Sequence, residues 1–414
     1  MCRNRGGKQP VVHHPIALSL FSGAGGMDLG VFQAGFDILA SIDIDRYCCE
    51  TLREWVNHKH RHTQVIEADI RAIDPADLMD NLGLQSGELD LLFGGPPCQA
   101  FSQIGKRASL NDERGMLLFE MVRFAEVFRP QAILIEQVKG LLSAPDSKGK
   151  PGGVFHQLLR ELERLGYALK WQIVNAADFG VPQLRQRIFI VGLLVPKEFH
   201  FPSPTHVKAS HATGLFPLPA YKTVGDALQE IGTPPVQNGV PSEGNHIDIT
   251  PQGDRRRIQG VPEGSHLAAQ HHLPAEQRRN LSKKDTTKFR RLSREEPALT
   301  LRCGEIFFHP IEDRYLTPYE YMRLHGYPNE YILKGPIRGR SGTARYIDQH
   351  RQVANSVPPP VAKILAQSLL RTLECQKSLN IRQASLNSQM DNSLRGRFPP
   401  MKLAPLTVRR AFRI

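Results

Sequence analysis

The chain reads as an α/β protein: a doubly wound, mostly parallel sheet joined to a smaller, irregular second domain. Two observations predict this. From Pro15 to about Val195, short apolar runs alternate with amphipathic stretches, the pattern of successive βαβ units. After about Lys197 that alternation stops, and residues 199–290 turn rich in Pro, Gly and His.

The expected strands are 16–21, 36–43, 63–69, 89–95, 131–138, 168–175 and 187–194, with helices at 115–128 and 154–166 between them. Basic residues gather late in the irregular stretch, including Arg255, Arg256, Arg257, Arg278, Arg279, Lys283, Lys284, Lys288, Arg290 and Arg291. Order returns at "LTPYEYMRLHGYP" (316–328) and at a helical 357–373. The expected division is a tail at 1–14, a first domain at 15–198, a second at 199–340, a segment at 341–375 completing the first, and a tail at 376–414. That last tail carries eight Lys/Arg against Asp391 alone and lacks periodicity, so disorder is expected there.

The formal net charge of +12 suits a polyanionic partner such as nucleic acid. The run length of apolar residues predicts no membrane span, and "MCRNRGGKQPVVHHP" lacks the apolar core of a secretory signal. Six cysteines show neither a CxxC pair nor zinc spacing, so neither a metal nor a disulfide framework is expected, and the setting is read as intracellular.

Chemistry concentrates at strand ends. The first strand runs into "FSGAGGMDLG", a glycine-rich turn opening a helix, which suits close approach of a ligand. Asp28 stands where a G-x-G-x-x-G dinucleotide fingerprint needs its third glycine, which disfavours a nicotinamide oxidoreductase. Asp43 and Asp69 close the next two strands, as ligand-binding carboxylates or as plain helix caps. The fourth strand delivers "GGPPCQAFSQ", in which Pro96 and Pro97 restrict the backbone that carries Cys98. A lone cysteine is commonly a small buried hydrophobe, but a strand C-terminus in a Gly/Pro loop favours reactivity. Glu136 ends the fifth strand, as a cap or a catalytic acid, and Gln183, Arg185 and Arg187 introduce the last.

Taken in order, "FSGAGG", "GGPPCQAFS", the E-x-V segment at 136–138, Q-x-R-x-R at 183–187, "RLSREEPALTLR", "YLTPYEYMRLHGYP" and "RQVANSVPPPVA" resemble the DNA (cytosine-5) methyltransferase family. The resemblance covers roughly residues 16–373, and implies a Rossmann-like methyltransferase fold of the prokaryotic restriction–modification type. It implies methyl transfer from S-adenosylmethionine to C5 of a flipped-out cytosine in double-stranded DNA, with a covalent Cys98–C6 intermediate.

The roles it carries over are Cys98 as nucleophile, Glu136 as the acid at N3, and Arg185 and Arg187 at the base and nearby phosphate. Phe21, Ser22, Gly23, Gly25, Gly26, Asp43, Asp69, Pro97, Asn355 and Ser356 would hold the cofactor. Gln99, Ser102, Lys106, Arg107, Gln183, Arg255 and Arg257 would meet DNA, with the loop 99–114 as a lid. A cytoplasmic monomer is expected, paired with an endonuclease of the same site or acting as an orphan. The rivals are a transfer-RNA cytosine methyltransferase, which the long basic region disfavours, and a catalytically impaired DNA-binding homologue. Two departures stand out: Gln137 replaces the family's usual Asn, and Ala354 its usual Gly.

Overall fold

In a computed structural model, the described residues are 14–59, 61–97, 117–194, 198–212, 217–236, 245–267, 273–274, 276, 289–338 and 346–374. Cys98, Gln99, Ser102, Lys106 and Arg107 lie outside them, as do the expected lid, much of the basic stretch at 278–288 and the tails at 1–13 and 376–414. The chain divides into two compact units, 1–370 and 371–414.

Seven strands build the main sheet: β1 Ile16–Leu20, β2 Asp37–Asp43, β3 Gln64–Glu67, β4 Leu91–Gly94, β5 Ala132–Gln137, β6 Ala168–Asn175 and β8 Gln186–Leu193, in the order β3-β2-β1-β4-β5-β8-β6. The first five pair in parallel, and β8 runs antiparallel between β5 and β6. A two-residue strand, β7 (Gln183–Leu184), leaves the sheet to pair with β9 (Ala298–Leu299).

The central strands are apolar because both faces are covered. Phe93, Leu92, Ile135 and Leu134 are buried completely. On the flanks lie α1 (Gly26–Gln33), α2 (Arg46–His58), α3 (Pro75–Asn81), α4 (Glu120–Phe128) and α5 (Gly153–Arg164). Phe124, Phe128, Leu158 and Leu162 pack in one apolar core with Leu18, Leu92 and Ile190.

Among the described residues, the region beyond the sheet holds short helices, α6 (Val224–Leu228), α7 (Gln252–Ile258), α8 (Pro318–His325) and α9 (Gln349–Asn355), followed by α10 (359–374). Its core (Leu292, Phe308, Tyr321, Tyr331) also takes in Leu29 and Trp55 from α1 and α2.

The C-terminal segment returns to the first strand's helix at very short range. A Cβ on Gly30 would stand 2.5 Å from the Pro359 carbonyl oxygen and from the Ala362 Cβ, and one on Gly26 would stand 2.4 Å from the Val357 carbonyl oxygen. Glycine at these two positions lets α1 and the segment 357–362 close on each other.

Candidate active site

Every parallel strand ends at the same sheet edge, and a cavity of about 750 Å³ opens there. The turn after β1 forms its floor. Phe21 takes a left-handed φ of 54°, a conformation that costs roughly 1 kcal/mol in a non-glycine residue. Such strain persists where the surroundings fix it, and ligand sites are its usual place. The Gly23 amide donates to the Asp43 carboxylate (2.8 Å), and the Ser22 amide donates to the Ile42 carbonyl (3.0 Å), so the turn is tied to the end of β2. Tyr331, far along the chain, donates its hydroxyl to the Ala24 carbonyl (2.7 Å) and braces the turn from behind.

Two acids lie here. Asp43 is partly exposed on the wall, and desolvation pushes its pKa up to about 6 despite backbone donors from Asp45 and Gly23. Asp28 is wholly buried and accepts hydroxyl hydrogen bonds from Ser41 (2.6 Å) and Ser19 (3.0 Å). Burial lifts its pKa to about 6 as well. The third acid, Asp69, also reaches the cavity, but its carboxylate is held by Arg71 (Nη2–Oδ2 2.6 Å), which lowers its pKa.

The opposite wall comes from β4, β5 and β8. Because β8 runs antiparallel, its beginning stands beside the end of β5, with Gln137 opposite Ile188 and Glu136 opposite Phe189. That register brings Arg187 Nε within 3.0 Å of Glu136 Oε1. Glu136 is 8% exposed, and desolvation raises its pKa against the lowering pull of Arg187 and Arg185. A Cβ on Gly95 would lie 3.3 Å from Glu136 Oε2, so the loop after β4 passes directly over this acid.

Gln137 settles where the longer amide goes: its Nε2 donates to the Pro96 carbonyl at 2.8 Å, two residues before Cys98. Arg185 is 2% exposed, and its Nη2 donates to the Ser356 carbonyl (3.0 Å). The Asn355 side chain accepts from the Cys303 thiol (2.5 Å).

Of the residues expected from the sequence, Phe21, Ser22, Gly23, Asp43, Asp69, Pro97, Asn355, Ser356, Glu136, Arg185 and Arg187 therefore share one cavity. Gly25 and Gly26 do not line it. A Cβ on Gly25 would meet Leu52 Cδ2 at 2.6 Å, so both glycines serve close packing. Gln183, expected at DNA, is fully buried. Its amide donates to the Leu324 carbonyl and to His325, and it accepts from the Leu301 amide. Arg255 pairs with Asp248 and Arg257 with Asp254, so neither is idle on its surface.

Sequence reading missed Ile44, an apolar side chain 65% exposed on the cavity wall, whose signal was its place just after a strand-end acid. It also missed Tyr346 and Ile347. Cys48 touches the cavity, but burial holds its thiol well above its ordinary pKa, unlike a nucleophile's.

A glycine turn, a strand-end acid and a desolvated carboxylic acid beside two arginines thus line one cavity at the end of the parallel strands of an α/β protein. The chain matches the C-5 cytosine-specific DNA methylase family over residues 17–371 and belongs to it. It is 42% identical over 229 residues to the Type II methyltransferase M.AquIA of Picosynechococcus sp., covering 53% of this chain and 90% of that one. It is 32% identical to the Type II methyltransferase M.NgoFVII of Neisseria gonorrhoeae, covering 86% of each. Among solved structures, a protein of an Escherichia coli prophage described as a DNA modification methyltransferase matches with a TM-score of 0.63. At 20% identity over 87% of this chain and 99% of that one, it supports the fold alone. The chain is thus a DNA (cytosine-5) methyltransferase, and no helix among its described residues is long and apolar enough to cross a membrane.

Proposed function

We propose that the protein methylates C5 of a cytosine flipped out of a specific double-stranded DNA sequence, through a covalent bond between Cys98 and C6. The observation that carries this reading is the desolvated Glu136, paired with Arg187 at 3.0 Å, facing the glycine turn and Asp43 across one cavity.

The cavity fits S-adenosylmethionine in size and in chemistry. Asp43 offers a carboxylate to ribose hydroxyls, Ile44 and Phe21 offer apolar surface, and Asn355 and Ser356 close the far side. When bound, the cofactor supplies an electrophilic methyl group. C5 of cytosine is a weak nucleophile, and addition of the Cys98 thiolate to C6 makes it enamine-like. Glu136, its pKa raised by burial, gives a proton to N3 as negative charge builds on the ring. Arg187 orients that carboxyl, and Arg185 fixes the segment that closes the cofactor wall. C5 would then accept the methyl group, its proton would pass to solvent as the thiolate left by β-elimination, and the N3 proton would return to Glu136.

Residues 15–198 and 341–375 would form the catalytic domain and 199–340 the wall that reads DNA, with Arg255 and Arg257 among its phosphate contacts. Flipping the base costs roughly a few kcal/mol. The likeness to two Type II methyltransferases favours a role in a bacterial restriction–modification system.

A duplex carrying 5-fluorocytosine tests the reading, because fluorine cannot leave C5 as a proton does. Incubation with S-adenosylmethionine should trap a covalent adduct with the wild type and none with Cys98→Ser; a wild type that forms no adduct refutes it. Bisulfite sequencing of DNA from expressing cells then gives the target sequence.

A further inference from the structure

Where β7, α8 and α9 meet, His325 stands outside every role assigned above. It is the last residue of α8 and completely buried. Its hydrogen bonds leave it only one tautomer. The Gln183 side-chain oxygen accepts from the Leu301 amide (3.2 Å), so the Gln183 nitrogen is the atom that faces His325 Nδ1, at 2.9 Å. An amide nitrogen only donates, so Nδ1 must accept and the ring proton sits on Nε2. That Nε2–H donates to the Ser356 carbonyl at 2.9 Å. The same carbonyl receives Arg185 Nη2 at 3.0 Å.

We infer that His325 is a positioning residue: it pins the Ser356 carbonyl that Arg185 also holds, and so sets the cofactor wall and the Arg185 guanidinium together. With both lone pairs engaged, the peptide between Ser356 and Val357 cannot rotate. Asn355, Ser356 and Val357, the residues on either side of it, all line the cavity. A protonated ring could not do this. Its Nδ1–H would oppose the Gln183 amide, and its charge would lie beside Arg185; burial and the two arginines hold its pKa well below the ordinary value. Gln183 belongs to the same device, which accounts for its place in the interior.

The inference rests on the proposal that this cavity takes S-adenosylmethionine, and the test separates the two. Glutamine places its amide nitrogen near the position of Nε2, whereas asparagine ends near Nδ1 and cannot reach Ser356. Full-length His325→Gln and His325→Asn proteins are compared for S-adenosylmethionine affinity by calorimetry without DNA, for turnover on DNA, and for melting temperature. His325→Asn should bind the cofactor about tenfold more weakly and turn over about tenfold more slowly. His325→Gln should stay within about threefold of wild type on both, the size of a fraction of one hydrogen bond. The two variants should melt alike.

Wild-type affinity in His325→Asn, or equal losses in both variants, overturns the inference and leaves the cofactor assignment standing. A folded His325→Gln protein that binds more than about tenfold more weakly also overturns it, however His325→Asn folds. A wild type that binds no S-adenosylmethionine removes both readings.

Discussion

The sheet region and the region beyond it are held together by different forces. Between Ile16 and Leu193 the interior is mostly apolar: Leu18, Phe93, Ile135 and Phe189 pack between strands and helices. Beyond residue 224 an apolar core exists too, but its elements are short, and buried charge joins them. Arg314, 2% exposed, meets Glu320, 1% exposed, at 2.7 Å and also takes Glu312. Arg291 binds Asp313 at 2.5 Å and the carbonyls of His309, Glu312 and Ile258. Apolar packing tolerates gradual change, whereas a buried ion pair fails abruptly when one partner goes. The first region is therefore suited to hold a constant chemistry, and the second to hold irregular loops in fixed places.

The largest effect should follow from Glu136→Gln, which removes the proposed proton donor and leaves the core intact. Turnover should fall by about 10²–10⁴ with little change in melting temperature. Parallel loss of activity and stability would show that Glu136 serves the sheet and not the chemistry. Next, Arg314→Met should destabilise the chain by about 3–5 kcal/mol in denaturant titrations, because Glu320 is left buried without its partner. Adding Glu320→Leu should recover much of that loss; if it does not, the network is not what holds the second region.

At the seam between the regions, Gly30→Ala should cost about 1–3 kcal/mol, since the new methyl meets the backbone at Pro359. Asp28 tests the apolar side through pH. Its pKa is about 6 in the folded chain and near 3.8 when exposed, so the folded state binds the extra proton between those values. Stability should accordingly fall as pH rises from about 4 to 6, by at most about 3 kcal/mol from this group. Asp28→Asn should flatten that slope in thermal melts; an unchanged slope would assign it to other groups. The smallest effect should come from Gln137→Asn, whose shorter amide gives up one hydrogen bond to Pro96. A loss of roughly 1 kcal/mol in loop order should slow turnover about fivefold in steady-state assays, and an unchanged rate would mean that the loop is set without it.

Much of the sheet could be read directly. Each expected strand falls within two residues of its observed ends, because short apolar runs and Gly/Pro punctuation are written inside each segment. Placement was equally plain: Asp43, Glu136 and the turn after the first strand stand at the edge where the parallel strands end. What failed to show were relations between distant segments. Gln183 reads as a DNA contact, yet His325, 142 residues later, meets its amide in the interior. Gly25 and Gly26 read as ligand-loop glycines, yet the first makes room for Leu52 and the second for Val357.

The sequence alone therefore determined the class of fold and the family, because both are encoded in short runs of residue type and spacing. Tertiary structure alone decided the direction of β8, and with it the meeting of Arg187 and Glu136. It also decided the closure of residues 356–362 onto α1. Strand direction and chain closure depend on packing summed over hundreds of residues, a quantity that no local pattern contains.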